Sequence, residues 1–365
     1  MPEKEVFEAK IDQIEDELSK TKKNKATNKH IGILRAKIAK AKREIAQIKK
    51  GGGYGFFAKR SGDATVALVG FPSSGKSSLI NELTNVTSKT GEYAFTTTTI
   101  VQGTMVFRDA HIQILDLPGI LEYAHAGYGK GSSVIAQVRD SNLVLFVVDV
   151  KSTEQLEILI NELRSTGIFI NRRKPSIRYT NTQNSPFKVL TNRSGMDERL
   201  IKEIFNGLGI FNGEVVISDP VGEDEIIAIL TERARYVSAI VALNKIDIDK
   251  RYVDLAGSVS KRLGIEVIPV SALNSYNIDR LKQAIYQNCG IMRVFVKPKE
   301  ESKPSPITLQ EGSSVESLAK RIHTRLADEV KSAYVSGPSA KFRNQRVSSK
   351  HILMDGDIIT FIRDK

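Results

Sequence analysis

From residue 63 onward, short apolar, β-branched runs alternate with stretches of helical spacing. The runs are TVALVG (65–70), HIQILDLPG (111–119), NLVLFVVDV (142–150), VSAIVALNKID (237–247) and EVIPVSA (266–272). Each is apolar almost throughout instead of alternating, which marks strands buried on both faces. Separated by crossover helices, they predict an α/β domain with a mostly parallel sheet and helices on both faces. Asp116 and Asn244, at the ends of two such runs, lie 128 residues apart. A βαβ unit takes about 30 residues, so something is inserted. Residues 170–236 fit: SIRYT and FKVL, the amphipathic ERLIKEIFNGLG, EVVIS and a second helical stretch predict a small α+β subdomain.

Outside this core the periodicity changes. Val6, Phe7, Ile11, Ile14 and Leu18 recur at helical spacing over 3–19, and Ile31, Leu34, Ile38, Ile45 and Ile48 do so over 29–49. These narrow stripes predict two helices packed as a hairpin or against a neighbouring domain. Gly51-Gly52-Gly53-Tyr54-Gly55 reads as a flexible joint. After residue 290 come IMRVFVK, a polar Lys303-Pro304-Ser305-Pro306 stretch and a compact α+β segment. The expected organisation is an N-terminal helical region over 1–60, a main domain over 61–290 carrying the insert at 170–236, and a C-terminal domain over 291–365.

Composition narrows the class. The chain has 365 residues, 41% hydrophobic and 26% charged, which excludes wholesale disorder and a small disulfide scaffold. No apolar run reaches the roughly 18–20 residues of a membrane span, and the N-terminus shows no signal-peptide core. One cysteine, Cys289, fits a reducing, cytoplasmic setting. The net charge of +12 is local: residues 20–60 hold 14 Lys/Arg and one acid. Such a segment suits phosphate backbones or another anionic surface. Residues 291–365 add 14 Lys/Arg against nine acids. Tyr54, Phe56 and Phe57 beside the basic run suit base stacking or linker packing equally.

The chemistry begins at Gly70-Phe71-Pro72-Ser73-Ser74-Gly75-Lys76-Ser77-Ser78, between the strand TVALV and the helix SSLINELT. This is G-x-x-x-x-G-K-[ST] in its strand–turn–helix context. The glycines let backbone N–H groups wrap phosphates, and the helix N-terminus adds positive potential. Lys76 would reach the β- and γ-phosphates, and the Ser77 hydroxyl would ligate Mg²⁺. Asp116-Leu117-Pro118-Gly119 ends the next run, at the strand edge where ligands bind in open α/β sheets. There Asp116 can serve Mg²⁺ through water, and the Gly119 N–H can meet a γ-phosphate. Thr96 to Thr99 lie between, and one of these hydroxyls could close the Mg²⁺ shell. Asn244-Lys245-Ile246-Asp247 follows SAIVAL. The Asp247 carboxylate can accept from guanine N1–H and its 2-amino group; adenine lacks both donors, a mismatch worth about 10⁴ in discrimination. Asn244 can bridge loops, the Lys245 stem can cover the purine, and Ser271-Ala272-Leu273 can offer an N–H to the guanine carbonyl. The implied ligands are GTP and GDP.

GFPSSGKSSLINELT, YAFTTTTIVQG, DLPGILEYAHAGYGKG, NKID and SAL resemble the Obg-related GTPases, and more narrowly the developmentally regulated GTP-binding protein family. KKNKATNKHIGILRAKIAKAKREI is similar to that family's basic N-terminal helices. ITLQEGSSVESLAKRIHTRL and the residues after it resemble its TGS domain, a ubiquitin-like β-grasp module. The resemblance implies that Thr97, six residues before Gly103, is the switch threonine, and that Lys76, Thr97 and Gly119 serve catalysis. It also implies slow GTP hydrolysis with Mg²⁺, a role in translation through the ribosome or RNA, and an accessory binding protein. Ile120 stands where a Ras-like enzyme has a water-orienting Gln, consistent with slow turnover. Ser73 stands where K⁺-stimulated relatives often have Asn, so K⁺ remains a possible cofactor.

Together these features predict a switch in which γ-phosphate and Mg²⁺ order residues 88–103 and 119–135 through Thr97 and Gly119. Gly127, Gly129 and Gly131 suit a mobile second switch. His125, Lys130 and Arg139, in or just after the second switch, could help catalysis but read rather as switch-packing or partner residues. A scaffold without turnover would not need Ser77, Thr97 and Asp116 together, and an ATP-using kinase would not need Asn244 and Asp247. A membrane-surface switch is disfavoured because the basic helix lacks an aromatic, Leu-rich face, so no stable membrane association is expected.

Overall fold

The computed structural model describes residues 62–84, 89–91, 100–117, 131–182, 185–249, 252–297 and 303–363, with ten positions between Ile11 and Ala41. Those ten are helical, and Ile11, Ile14, Leu34, Ile38 and Ala41 bury into one cluster. The two predicted stripes therefore meet each other. The chain divides into two units, Met1–Phe56 with Ile160–Tyr236, and Phe57–Leu159 with Val237–Lys365.

The larger unit opens with β1 (Ala64–Val69), α1 (Lys76–Thr84), β2 (Lys89–Gly91), β3 (Ile100–Phe107), β4 (Ala110–Asp116), α2 (Gly131–Asp140), β5 (Leu143–Asp149) and the start of α3 (Gln155–Ser165). The chain then enters the smaller unit: β6 (Ile168–Ile170), β7 (Ile177–Thr180), β8 (Lys188–Asn192), α4 (Glu198–Gly207), β9 (Glu214–Ile217) and α5 (Glu223–Leu230). Its three-stranded sheet runs β7-β9-β8, with β9 antiparallel to β7 and parallel to β8. Phe205 of α4 is fully buried and lies 4.5 Å, ring to ring, from Phe187. Asp197 caps α4 by accepting from the Arg199 N–H at 2.7 Å, the side-chain cap that Asp provides best. Each segment predicted within 170–236 thus forms its expected strand or helix. One feature went unpredicted: Glu225, 1% exposed, pairs with Arg172 at 2.8 Å.

The chain returns through β10 (Arg235–Asn244), a 3₁₀ turn (Ile246–Ile248), α6 (Tyr252–Leu263), β11 (Val267–Pro269) and α7 (Ile278–Asn288). The main sheet has the order β11-β10-β5-β1-β4-β3-β2. It is parallel from β11 to β4 and antiparallel at β3 and β2. The five apolar runs are β1, β4, β5, β10 and β11. Val66 and Leu68 share a core with Leu79, Ile80 and Leu83 of α1 and with Leu281 and Ile285 of α7. The alternate residues Ala67 and Val69 are equally buried, and α2 packs on β1. Burial on both faces explains why these strands read as continuous apolar runs.

The C-terminal elements are β12 (Ile291–Val296), β13 (Ser305–Gln310), α8 (Val315–Ile322), α9 (Thr324–Glu329), β14 (Val330–Ser336), β15 (Gln345–Ser348) and β16 (Ile358–Arg363). They form a second sheet, β13-β12-β16-β14-β15, whose core takes Val315, Leu318 and Ala319 from α8. The polar stretch 303–306, expected between elements, instead begins a strand: Pro306 lies in β13 opposite Phe295. An edge strand accepts proline because its outward side needs no N–H. Polar bonds tie this domain to the main sheet. Asp63 accepts from Arg321 at 2.7 Å, Gln310 donates to the Asp63 carbonyl at 3.0 Å, and Asn142 donates to Gln310 at 3.0 Å. Arg293 pairs with Asp109 at 3.1 Å.

Candidate nucleotide site

The turn between β1 and α1 is shaped by what surrounds it. A Cβ on Gly70 would lie 2.3 Å from the Val147 carbonyl oxygen, and one on Gly75 would lie 2.2 Å from Asn244 Nδ2. Gly75 also has φ +92°, a conformation open to glycine. Ser73, without that freedom, nonetheless sits at φ 62°, and Lys245 at φ 67°. Such backbone costs about 1–3 kcal/mol per residue and persists where surroundings hold it. The hold is visible: Lys245 Nζ donates to the Ser73 carbonyl at 2.7 Å and pairs with Asp149 at 2.8 Å.

Asn244 joins the loops. Its Nδ2 donates to the Ser74 carbonyl at 3.0 Å, and its Oδ1 accepts from the Ala272 N–H at 3.1 Å. Asp247 accepts from Ser271 Oγ at 2.5 Å, which orients its carboxylate. Leu273 is 82% exposed. Lys76 Nζ donates to the Gly70 and Phe71 carbonyls at 3.0 Å each. Ser77 Oγ donates to Asp116 Oδ2 at 3.3 Å. A cleft of about 530 Å³ is lined by Pro72, Ser73, Gly75, Lys76, Ser77, Ser78, Asp116 and Lys245.

Two buried oxygens, Ser74 Oγ and Asp116 Oδ1, have no hydrogen-bond partner among the described residues. Burial pushes the Asp116 carboxyl above its ordinary range, against the opposing pull of Lys76 and Ser77. A carboxylate and a hydroxyl side by side, one oxygen left over, is the hard-oxygen donor set that suits Mg²⁺. Asp149 behaves oppositely. Burial alone would raise it, but the Lys151 N–H and Lys245 hold it below the carboxylate range.

The structure thus gathers Gly70, Ser73, Ser74, Gly75, Lys76, Ser77, Ser78 and Asp116 on one side, with Asn244, Lys245, Asp247, Ser271 and Ala272 connected to them. Thr97, Gly119, Ile120, His125, Lys130 and the joint at 51–55 lie outside the described residues. Sequence reasoning missed Asp149. The available signal was an acid ending an apolar strand, in register with Asn244.

Comparison with known proteins agrees with this geometry. Residues 65–182 match the family model of a 50S ribosome-binding GTPase, 186–291 that of the C-terminal region of the same domain, and 292–363 that of the TGS domain. An uncharacterized GTP-binding protein of Methanocaldococcus jannaschii is 39% identical over 363 residues, covering 98% of this chain and 93% of that one. Developmentally-regulated GTP-binding protein 1 of Xenopus laevis is 36% identical, covering 97% and 98%. Developmentally-regulated GTP-binding protein 2 of Bos taurus is 35% identical, with the same coverage. The chain belongs to the developmentally regulated GTP-binding protein family. As a member of that family it is a GTP-binding protein with a GTPase fold and a C-terminal TGS domain. No described helix is long and apolar enough to cross a membrane.

Proposed function

We propose that this protein is a slow, Mg²⁺-dependent GTP-hydrolysing switch that acts at the ribosome, in the cytoplasm. The observation carrying this reading is that Asn244 is bonded to both the phosphate loop and the Ser271–Leu273 loop, so phosphate grip and base reading are parts of one assembly. Lys76 and the loop N–H groups bind and neutralise the phosphates. Asp247, oriented by Ser271, accepts from guanine. Ser77 and Asp116 would hold Mg²⁺, which supplies charge neutralisation on the β- and γ-phosphates when bound. Thr97 and Gly119 are the proposed switch contacts. With Ile120 following Gly119, no side chain in that slot orients water, which supports slow intrinsic turnover.

Ribosome association is supported by the name of the matching family model and by the basic segment at 20–60. An accessory protein of the family's binding type is a further partner in this reading. Single-turnover hydrolysis by the purified chain tests the enzyme: slow phosphate release, abolished by EDTA and by Lys76→Ala, is expected. Fast release by the isolated chain contradicts the slow switch, and no release at all leaves a GTP-dependent scaffold. Rates in KCl against NaCl decide whether Ser73 allows K⁺ stimulation. Gradient sedimentation with GTP and GDP tests the ribosome, and identical absence from ribosomal fractions with both nucleotides refutes that role.

A further inference from the structure

We propose that the β14–β15 hairpin of the TGS domain is a binding site for single-stranded RNA, with Phe342 as its stacking platform. The inference rests on the ribosome-directed reading above and gives it a second contact, separate from the basic N-terminal segment. Residues 330–354 hold five Lys/Arg and no Asp or Glu. Lys331, Lys341, Arg343 and Arg346 are exposed, and so are two aromatic rings, Tyr334 at 43% and Phe342 at 64%.

Three cations elsewhere in the domain are committed: Lys320 to Glu316, Arg321 to Asp63, Arg293 to Asp109. Among the described residues, Lys341 and Arg343 have no carboxylate partner. Tyr334 and Arg346 are cross-strand partners, so ring and guanidinium share one exposed sheet face. Arg346 is held there by Ser332 Oγ, which accepts from its Nε at 3.3 Å and its guanidinium NH₂ at 3.2 Å.

The loop presenting Phe342 is fixed from beneath. Asp357, fully buried, accepts from the Ser339 N–H at 3.1 Å. His351 and Ser339 are joined at 2.9 Å, and the Lys341 N–H donates to Gln345 at 2.6 Å. Ser336 and Asn344 exchange two bonds of 2.8 Å. A loop already ordered loses little entropy on binding. Charge on β15, an edge strand, also discourages edge-to-edge pairing. That role needs no ring at the loop tip and is weakened by one. An exposed ring flanked by unpaired cations matches unstacked bases on a phosphate chain. A duplex hides its base faces, and a lipid surface calls for a broader apolar face.

The test uses the full chain and a fluorescein-labelled single-stranded oligoribonucleotide, read by anisotropy across KCl concentrations, with cross-linking from incorporated 4-thiouridine. GDP binding confirms that each variant is folded. Phe342→Ala is expected to weaken affinity about tenfold without changing the salt slope. Lys341→Ala with Arg343→Ala is expected to lower that slope by about 1.4. Cross-links are expected within 341–346. Wild-type affinity in Phe342→Ala, or cross-links confined to 20–60, overturns this site while leaving RNA association standing. Sedimentation with ribosomes but no oligonucleotide binding also overturns the site and leaves the ribosome reading intact. Equal affinity for a duplex, or preferential binding to phosphatidylserine vesicles, overturns stacking as its basis.

Discussion

In the proposed site Asp149 and Asp247 divide the work of the base-reading side. Asp247, oriented by Ser271, is the proposed reader, whereas Asp149 holds Lys245, which in turn holds the Ser73 carbonyl. Asp149→Asn keeps the shape and loses the charge that fixes Lys245. Charge-assisted hydrogen bonds contribute roughly 1.5–3 kcal/mol when buried and less when partly solvated, as here. GDP dissociation should therefore quicken by about five- to tenfold, in stopped-flow with a fluorescent GDP, while the nucleotide-free melting temperature stays put. An unchanged rate would remove Asp149 from the site. Asp247→Asn exchanges an acceptor for a donor, so preference for guanosine should fall by at least about a hundredfold and xanthosine nucleotides, with an oxygen at position 2, should gain. Asp116 supplies a pH handle. Its carboxyl is raised by burial, so it takes up a proton at a higher pH than an ordinary carboxylate. The Mg²⁺-dependent part of GTP affinity should weaken as pH falls through that raised value. Titrating GTP affinity with and without Mg²⁺ checks this, and Asp116→Asn should flatten the difference.

At the scale of elements, the segment 170–236 carries its own polar anchor in Arg172 and Glu225. Glu225 is raised above the ordinary range, chiefly by burial and against the pull of Arg172. A raised carboxyl costs the fold as it ionises. Its contribution is intact below the ordinary value and is lost as pH rises through the folded value. Glu225→Gln should remove that pH dependence, making the variant relatively more stable at neutral pH than at pH 4 by chemical denaturation. A constant difference across pH would show that Glu225 does not titrate on unfolding. How much of this was legible follows from period and position. The five strands of the main sheet could be read because both faces are buried, and apolar runs are then unbroken. The phosphate loop and the Asn244–Asp247 turn could be read because each sits at a strand end, where spacing is local. Glu225 could not, because its partner Arg172 lies 53 residues away and nothing local marks the pairing. Asp149 was missed because its meaning depends on a neighbouring strand's register. Pro306 misled because proline usually punctuates, and only an edge strand admits it.

At the scale of the molecule, the TGS domain meets the main sheet at the end away from the proposed nucleotide site. Its contacts fall on Asp63 just before β1, Asp109 in the turn before β4, and Asn142 just before β5. The phosphate loop lies after β1, and Asp116 ends β4. Six residues of β1 separate the two ends, roughly 20 Å at strand rise. The domain is therefore held as a fixed arm, and grip on the nucleotide need not depend on it. Two of its attachments, Arg321–Asp63 and Arg293–Asp109, are partly solvated ion pairs, worth about 1 kcal/mol or less each. The neutral Asp63–Gln310–Asn142 chain and the direct passage from α7 into β12 supply the rest. Arg321→Ala with Gln310→Ala should loosen the arm, seen as a larger radius of gyration in solution scattering and faster amide exchange at 63–65. GDP affinity should be unchanged, because neither residue approaches the cleft. A loss of GDP affinity matching the loosening would mean that the sheet transmits strain from one end to the other, and the arm would then be part of the switch.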